Sequence, residues 1–408
     1  MRPRGTPDAT VADRRVRGTR HWFATPASVG RCACARGARV VDSLLRVRQP
    51  PPLTWKARQE SRYQMTAAPT PLPFDLDGSW AVDTPLSEPR ELSIAGRTLR
   101  LSPVFDTYWR FAAARQAMYE ARLAGQPGPW TNDPILRRHR FTNCYRAADR
   151  VSQYLIQRVA YSGPQDTLNL VFRTLLFKMF NKISTWELLE GFFGEIDWQS
   201  ADLHLYDKVL SEAFGRRATL YSAAYVVPPP ALGGERKHSN HLRLLRLMID
   251  DRVHDRLTNA DSMQAAFNIL RAYPAIGDFL AYQFLIDINY SNALNFDEGE
   301  FVVPGPGARD GIRKCFGPTA SGIEADVIRY MADSQEEEFS RLNLDFHGLR
   351  GRRLQLIDCQ NLFCEVDKYA RLAHPEVAGI SGRTRIKQRY IGDSTPLGAW
   401  FPPKWNLN

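Results

Sequence analysis

Residues 354–371, LQLIDCQNLFCEVDKYAR, space Asp358, Asn361, Glu365 and Lys368 at i, i+3, i+7 and i+10, so the four share one helix face. Cys364 falls in the same stripe and Gln360 beside it, adding a thiol and a second amide. Such a stripe can take a proton at Glu365, orient a polar ligand through Asn361 and meet an anion with Lys368. A solvated face has a similar composition, and the stripe alone leaves both readings open. Two further segments offer anion chemistry. In FTNCYRAADRVSQYLI, residues 141–156, Arg146 and Arg150 stand one helical turn apart, able to hold a phosphate or pyrophosphate together or to form an ion-pair network with Asp149. In FVVPGPGARDGIRKCF, residues 301–316, Gly305, Gly307 and Gly311 leave backbone amides open in an expected Gly-rich loop, followed by Arg309, Arg313 and Lys314. No GxxxxGK[ST] sequence occurs in the chain.

Residues 269–288, ILRAYPAIGDFLAYQFLIDI, read as two apolar helices around a tight turn. The segment resembles the helix–hairpin–helix of DNA repair glycosylases at Pro274, Ile276, Gly277 and Ala281. The resemblance implies a DNA phosphate near Gly277, at a helix N-terminus. Ala275 replaces the first hairpin glycine, Asp278 adds a negative charge, and Phe279 stands where lyase-active relatives carry lysine. Asp297 follows Gly277 by the spacing of the glycosylase catalytic aspartate. That suits a general base or an anion facing a developing cation; a turn acid in Asp-Glu-Gly would serve equally.

FTNxYRxxDR, the Pro-Gly-Pro-Gly-Ala-Arg-x-Gly-Ile block and DxQNxxCExDKYxR, in that order over roughly 100–375, resemble one family. It is the helical domain of 5-hydroxymethyldeoxyuridine DNA kinases, also called alpha-glutamyl/putrescinyl-thymine pyrophosphorylases. The resemblance implies work on hydroxymethyluracil in DNA, either in its phosphorylation or in replacing its pyrophosphate with an amine or amino acid. The partners implied are DNA, an amine or amino-acid co-substrate and, without a P-loop here, a separate P-loop kinase. Tyr145 or Phe301 would stack on an extruded base. Arg146, Arg150, Arg309 and Arg313 would neutralise a diphosphate, with Mg accompanying it, and Asp297 or Glu365 would take the amine's proton. A glycosylase-like hydrolase and a non-catalytic DNA-binding module are the alternatives; the latter would lean on GRTRIKQRY, residues 382–390.

The elements that must position these groups are mostly helical. Apolar spacing predicts helices over 103–124, 141–162, 166–181, 184–193, 201–214, 238–256, 260–273, 277–288, 320–342 and 352–372. RELSIAGRTLRLS alternates around Ala95-Gly96 and predicts a small N-terminal β-hairpin. The expected fold is mainly α, a multi-helix domain like that of helix–hairpin–helix glycosylases. It would occupy 66–380, between a basic extension over 1–65 and an irregular basic and aromatic tail over 381–408.

Charge follows that division. Of the 54 Lys and Arg against 44 Asp and Glu, residues 1–65 hold 14 and 4, so they carry the whole net charge of +10 and the rest is neutral. Any nucleic-acid surface on the body must then be a local patch. The extension reads as a disordered arm, a transit peptide or translation from a start before Met65, and the last fits best. The six cysteines are scattered without disulfide or zinc spacing, and His238 and His241 in HSNH are too isolated for a metal set and read as exposed loop. Together with the lack of any long apolar run, this points to a cytoplasmic or nuclear protein outside the membrane.

Overall fold

The structure, a computed structural model, describes residues 90–224, 226–392 and 398–408. Every described residue belongs to one compact unit, which lies within Glu60–Asn408. The basic extension, Met65, Cys32 and Cys34 lie outside the described residues.

The expected hairpin forms from β1 (Glu91–Ile94) and β2 (Arg97–Arg100), antiparallel with Leu92 opposite Leu99. Its two-residue turn needs positive φ at both positions, and Ala95 (φ 48°) and Gly96 (φ 73°) supply it. Helices follow: α1 (Pro103–Leu123), α2 (Pro134–Arg138), α3 (Arg150–Tyr154), α4 (Thr167–Phe180), α5 (Ile183–Phe193), α6 (Leu203–Gly215) and α7 (Lys237–Asp250). Then come α8 (Val253–Thr258), α9 (Met263–Arg271), α10 (Asp278–Asn289), α11 (Pro306–Phe316), α12 (Glu324–Asp333), α13 (Gln335–Arg341) and α14 (Leu356–Ala373). The described part is thus mainly helical with one small sheet, as expected. No helix among the described residues is long and apolar enough to cross a membrane.

Local chemistry accounts for the helix starts that matter here. Ser102 caps α1, accepting from the Val104 N–H at 3.1 Å, with Pro103 at the first helical position. In α14, Asp358 accepts from the Gln355 N–H at 3.0 Å, half of a capping box. The core runs through α4, which is buried from Asn169 to Phe180, and through the α11–α14 pair. At Gly311 the two backbones of that pair meet: a Cβ there would stand 2.1 Å from the Phe363 carbonyl oxygen. Only a residue without a side chain permits that approach.

Four expectations change. The Gly-rich loop over 301–316 is helical from Pro306 onward, because Pro306 suits a first turn and Ala308, Ile312, Cys315 and Phe316 bury a helical stripe. The helix expected over 141–162 begins only at Arg150; before it lie an irregular FTNC segment and a 3-10 turn, and after it a π-turn, Leu155–Ala160. Arg252 (φ 54°) divides 238–256, and Ser334 divides 320–342. His238 and His241 lie buried on α7, not on an exposed loop. His241 faces the Tyr221 hydroxyl at 2.8 Å and the Pro228 carbonyl at 3.1 Å.

Candidate functional site

On α14, Asn361, Cys364, Glu365 and Lys368 form a half-buried stripe, while Leu362, Phe363, Val366 and Ala370 fill the core behind it. The irregular FTNC segment makes one wall. Glu365 Oε2 accepts from the Thr142 N–H at 3.0 Å and from Lys368 Nζ at 2.7 Å. The Lys368 ammonium also sits 4.6 Å from the centre of the Phe141 ring. Arg115 of α1 braces the segment, donating to the Thr142 carbonyl at 3.1 Å and to Asn143 Oδ1 at 2.9 Å. The Asn143 N–H in turn binds Asp149 Oδ1 at 2.8 Å. Burial, with the Glu365 charge adding, pushes the Asp149 carboxyl up to about 7 against the pull of Asn143, Arg115 and Arg146. Asp149 is therefore the carboxyl of this group poised to exchange a proton near neutrality.

The start of α11 makes the other wall. A Cβ on Gly307 would stand 3.0 Å from Cys364 Sγ, and one on Gly305 would stand 3.0 Å from the Phe279 ring and 3.4 Å from Gln360 Oε1. Gln360 is 1% exposed, and its Oε1 has no hydrogen-bond partner. Its amide nitrogen donates to Asn361 Oδ1 at 2.8 Å. Beyond Gly305, the first turns of α10 and α11 border a cleft of ≈ 350 Å³ with Asp278, Phe279, Pro304, Pro306, Arg309 and Ile380 in its walls. Gly277 and Gly305 are the two N-caps, and Ala275 (φ 62°) takes the left-handed conformation in the turn between α9 and α10. Two helix starts and the exposed Arg309 bring positive charge to this cleft, opposed by Asp278, which pairs with Arg271, and by Asp310, which accepts from the Ser381 N–H.

A family model described as 5-hmdU DNA kinase, helical domain, matches residues 102–379. The chain belongs to that family. The matched span of this 5-hmdU DNA kinase helical domain begins at the Ser102 cap and contains both walls and the stripe. The chain is also similar to a 5-hmdU DNA kinase of Bacillus phage SP10, 24% identical over 289 residues, which is 65% of this chain and 45% of the relative. It thus spans less than half the length of the curated relative it matches. No solved structure matches the chain.

The helical domain turns two of the expected anion-binding residues inward. Arg146 is buried, donating to both Asp287 oxygens at 2.7 and 2.8 Å and to Gln283 at 3.1 Å, while Lys178 meets Asp287 at 2.8 Å. Lys314 is buried against Asp367 at 3.1 Å. These cations neutralise internal carboxylates and lack the surface a phosphate needs, which corrects the expectation for both. Arg150 is exposed at the start of α3, and Arg313 is half-buried on α11. Asp297 is exposed and accepts from the Gly299 N–H at 2.8 Å, a turn acid in local geometry. Its neighbour Glu298 is buried, 3.2 Å from Arg352, and burial pushes its carboxyl up to about 7. Asp358 caps α14 and the Arg146 N–H, so it stands apart from the stripe. Of the expected stacking rings, Tyr145 is buried and donates to the Arg352 carbonyl at 2.6 Å, while Phe301 is half-buried and packs 5.1 Å from Phe267.

Sequence reasoning passed over Asp149 and Gln360. Asp149 looked like an ion-pair partner because its burial is set by the tertiary fold. Gln360 stands one place off the stripe and meets Gly305 only through the α11–α14 contact. Among the described residues no group of three or more His, Cys, Asp or Glu could hold a metal ion.

Proposed function

We propose that this chain acts on 5-hydroxymethyluracil in DNA as a transferase that displaces pyrophosphate from the base's methylene carbon. The observation that carries the reading is the pair Asp149 and Glu365, two carboxylates on adjacent backbone amides beside an amide-rich stripe. In this scheme the base leaves the stack and enters between the FTNC wall and the α11 start. Asn361 and the unpartnered Gln360 oxygen meet its polar edge, where uracil offers an N–H donor. The amine nitrogen's lone pair attacks the methylene carbon. The carbon–oxygen bond to the diphosphate breaks and its electron pair leaves with the diphosphate. Asp149 takes the proton from the amine. Arg309 and the first turns of α10 and α11 receive the leaving pyrophosphate anion, and Gly277, Gly305 and Gly307 let it approach backbone amides. Arg150, Arg313 and Lys368 add charge at longer range. Phosphorylation of the hydroxymethyl group is assigned to a P-loop kinase outside these residues, which hold no GxxxxGK[ST] sequence.

The test is mass spectrometry of nucleosides from duplexes bearing hydroxymethyluracil or its diphosphate, incubated with the full chain, ATP and an amino-acid pool. Loss of diphosphate with gain of an amine mass is expected from the diphosphate duplex. Release of free base would replace transfer with glycosylase-like hydrolysis, and unaltered nucleosides in both duplexes would leave a DNA-binding module.

A further inference from the structure

Beyond residue 65 acidic and basic side chains balance, so concentrated positive charge on the body has to come from folding separate segments together. One place does this. Arg137 and Arg138 end α2 and Arg140 follows, while Arg383, Arg385, Lys387 and Arg389 lie in the tail. An antiparallel bridge joins His139 to Arg389. The Arg140 N–H donates to the Gln388 carbonyl at 3.2 Å, and the Tyr390 N–H donates to the Arg138 carbonyl at 3.0 Å. Arg371 of α14 holds the Arg385 carbonyl at 3.1 Å. All seven cationic side chains are exposed, and among the described residues none is paired with a carboxylate. Several other surface arginines are neutralised locally, as Arg246 is by Asp250 at 2.8 Å.

The ribbon also borders the candidate site at both ends. Its first strand leads into Phe141, under the Lys368 ammonium, and Asp133 at the α2 cap accepts from the Tyr369 hydroxyl of α14 at 2.6 Å. The tail begins at the cleft, where the Ser381 N–H binds Asp310 at 2.7 Å. A polyanion lying along these cations would pass from the α11 start to the FTNC wall, with the stripe between.

We propose that the ribbon of 137–140 and 383–389 is the track for the phosphodiester backbone of DNA, holding a strand so that one base reaches the stripe. This rests on the reading that the chain acts on a base in DNA. Backbone recognition by exposed arginines is electrostatic and sequence-independent, so the track would bind thymine and hydroxymethyluracil duplexes alike, with selectivity left to the stripe.

The test measures binding of the full chain to a short fluorescent duplex by anisotropy across a salt series, alongside the nucleoside assay. Two neutralised sets, Arg137→Gln/Arg138→Gln/Arg140→Gln and Arg383→Gln/Arg385→Gln/Lys387→Gln/Arg389→Gln, are compared with Arg→Lys versions that keep the charge. Each neutralised set should weaken low-salt binding by about tenfold or more and lower the salt slope by about 0.9 per lost phosphate contact. The Arg→Lys sets should stay near wild type, and unchanged circular-dichroism melts exclude unfolding. Neutralised sets that match wild type in affinity and slope overturn the track. If they do so while wild type still modifies DNA, the track alone fails; if wild type neither binds nor modifies DNA, the parent reading fails with it.

Discussion

Asp149 and Glu365 are held by neighbouring amides of one segment: the Asn143 N–H binds Asp149 at 2.8 Å and the Thr142 N–H binds Glu365 at 3.0 Å. Two carboxylates that far apart in sequence thus share one irregular turn, and the Glu365 charge adds to the cost of charging Asp149. Burial is the main reason Asp149 resists charging, with Glu365 adding to it and Asn143, Arg115 and Arg146 opposing it, while Glu365 itself pairs with Lys368.

Asp149→Asn should lower turnover by about 100-fold with the fold intact, the usual worth of a general base. The wild-type rate should climb with pH through about 7 as Asp149 loses its proton, then level off. The variant's residual rate should be flat there. A pH–rate profile of both proteins decides it, and an Asn variant that keeps the same shoulder would remove Asp149 from the chemistry. Asp297→Asn, in an exposed turn, serves as comparator and should stay within a few-fold of wild type by this geometry.

Gln360→Met keeps the side chain's length while removing a buried acceptor that has no partner in the fold. Stability should hold or rise, since an unsatisfied buried polar group costs about 1–3 kcal/mol. Recognition of the modified base should weaken, seen as a raised KM. A variant with lower melting temperature and unchanged KM would assign Gln360 to packing alone.

Glu298 carries a pH dependence of stability. Its folded carboxyl is raised to about 7 by burial, while in the unfolded chain it titrates near the usual about 4.3. Between those values the native state binds the extra proton, so stability falls as pH rises from about 4 to about 7 and changes little beyond. Asp149 and Asp358 act in the same direction. Glu298→Gln should flatten part of that slope in melts at a series of pH values, and an identical slope would disprove the assignment.

Asp287 tests the internal ion cluster. Burial alone would raise its carboxyl, but Arg146 and Lys178 prevail and hold it below the ordinary range. Asp287→Ala would leave two buried cations without their anion, and should cost about 3–5 kcal/mol in chemical denaturation. A loss under about 1 kcal/mol would show that the cluster relaxes or hydrates, unlike a buried pair deprived of one partner.

Gly311→Ala should destabilise by about 3 kcal/mol, at the upper end for overpacking, because the added methyl meets backbone at Phe363 and no rotamer change relieves it. Gly277→Ala, where a Cβ would meet nothing within 4 Å, should cost far less. Equal melting temperatures for the two would contradict the close approach of α11 and α14.

Local rules were legible in the chain itself. The 3.6-residue apolar spacing marks α1, α4 and α14, the Ala95-Gly96 pair marks the hairpin turn, and the polar stripe of Asn361, Glu365 and Lys368 follows from helical periodicity alone. The three ordered blocks pointed to the family. Tertiary structure decided which charged groups face a ligand, because charge and hydrogen-bonding capacity are the same in a buried pair as at a surface until the partner is known. Arg146 and Lys314 went inward to carboxylates on other helices, and Asp149 became a titrating group only when folding buried it, with Glu365 nearby adding its charge. The Gly-Pro stretch at 304–307 was read as a loop because glycine and proline weaken helix propensity; Pro306 instead starts α11, and Gly311 serves its packing on α14. The basic ribbon likewise exists only because the tail returns to pair with 138–140, a contact between distant segments that no local pattern encodes.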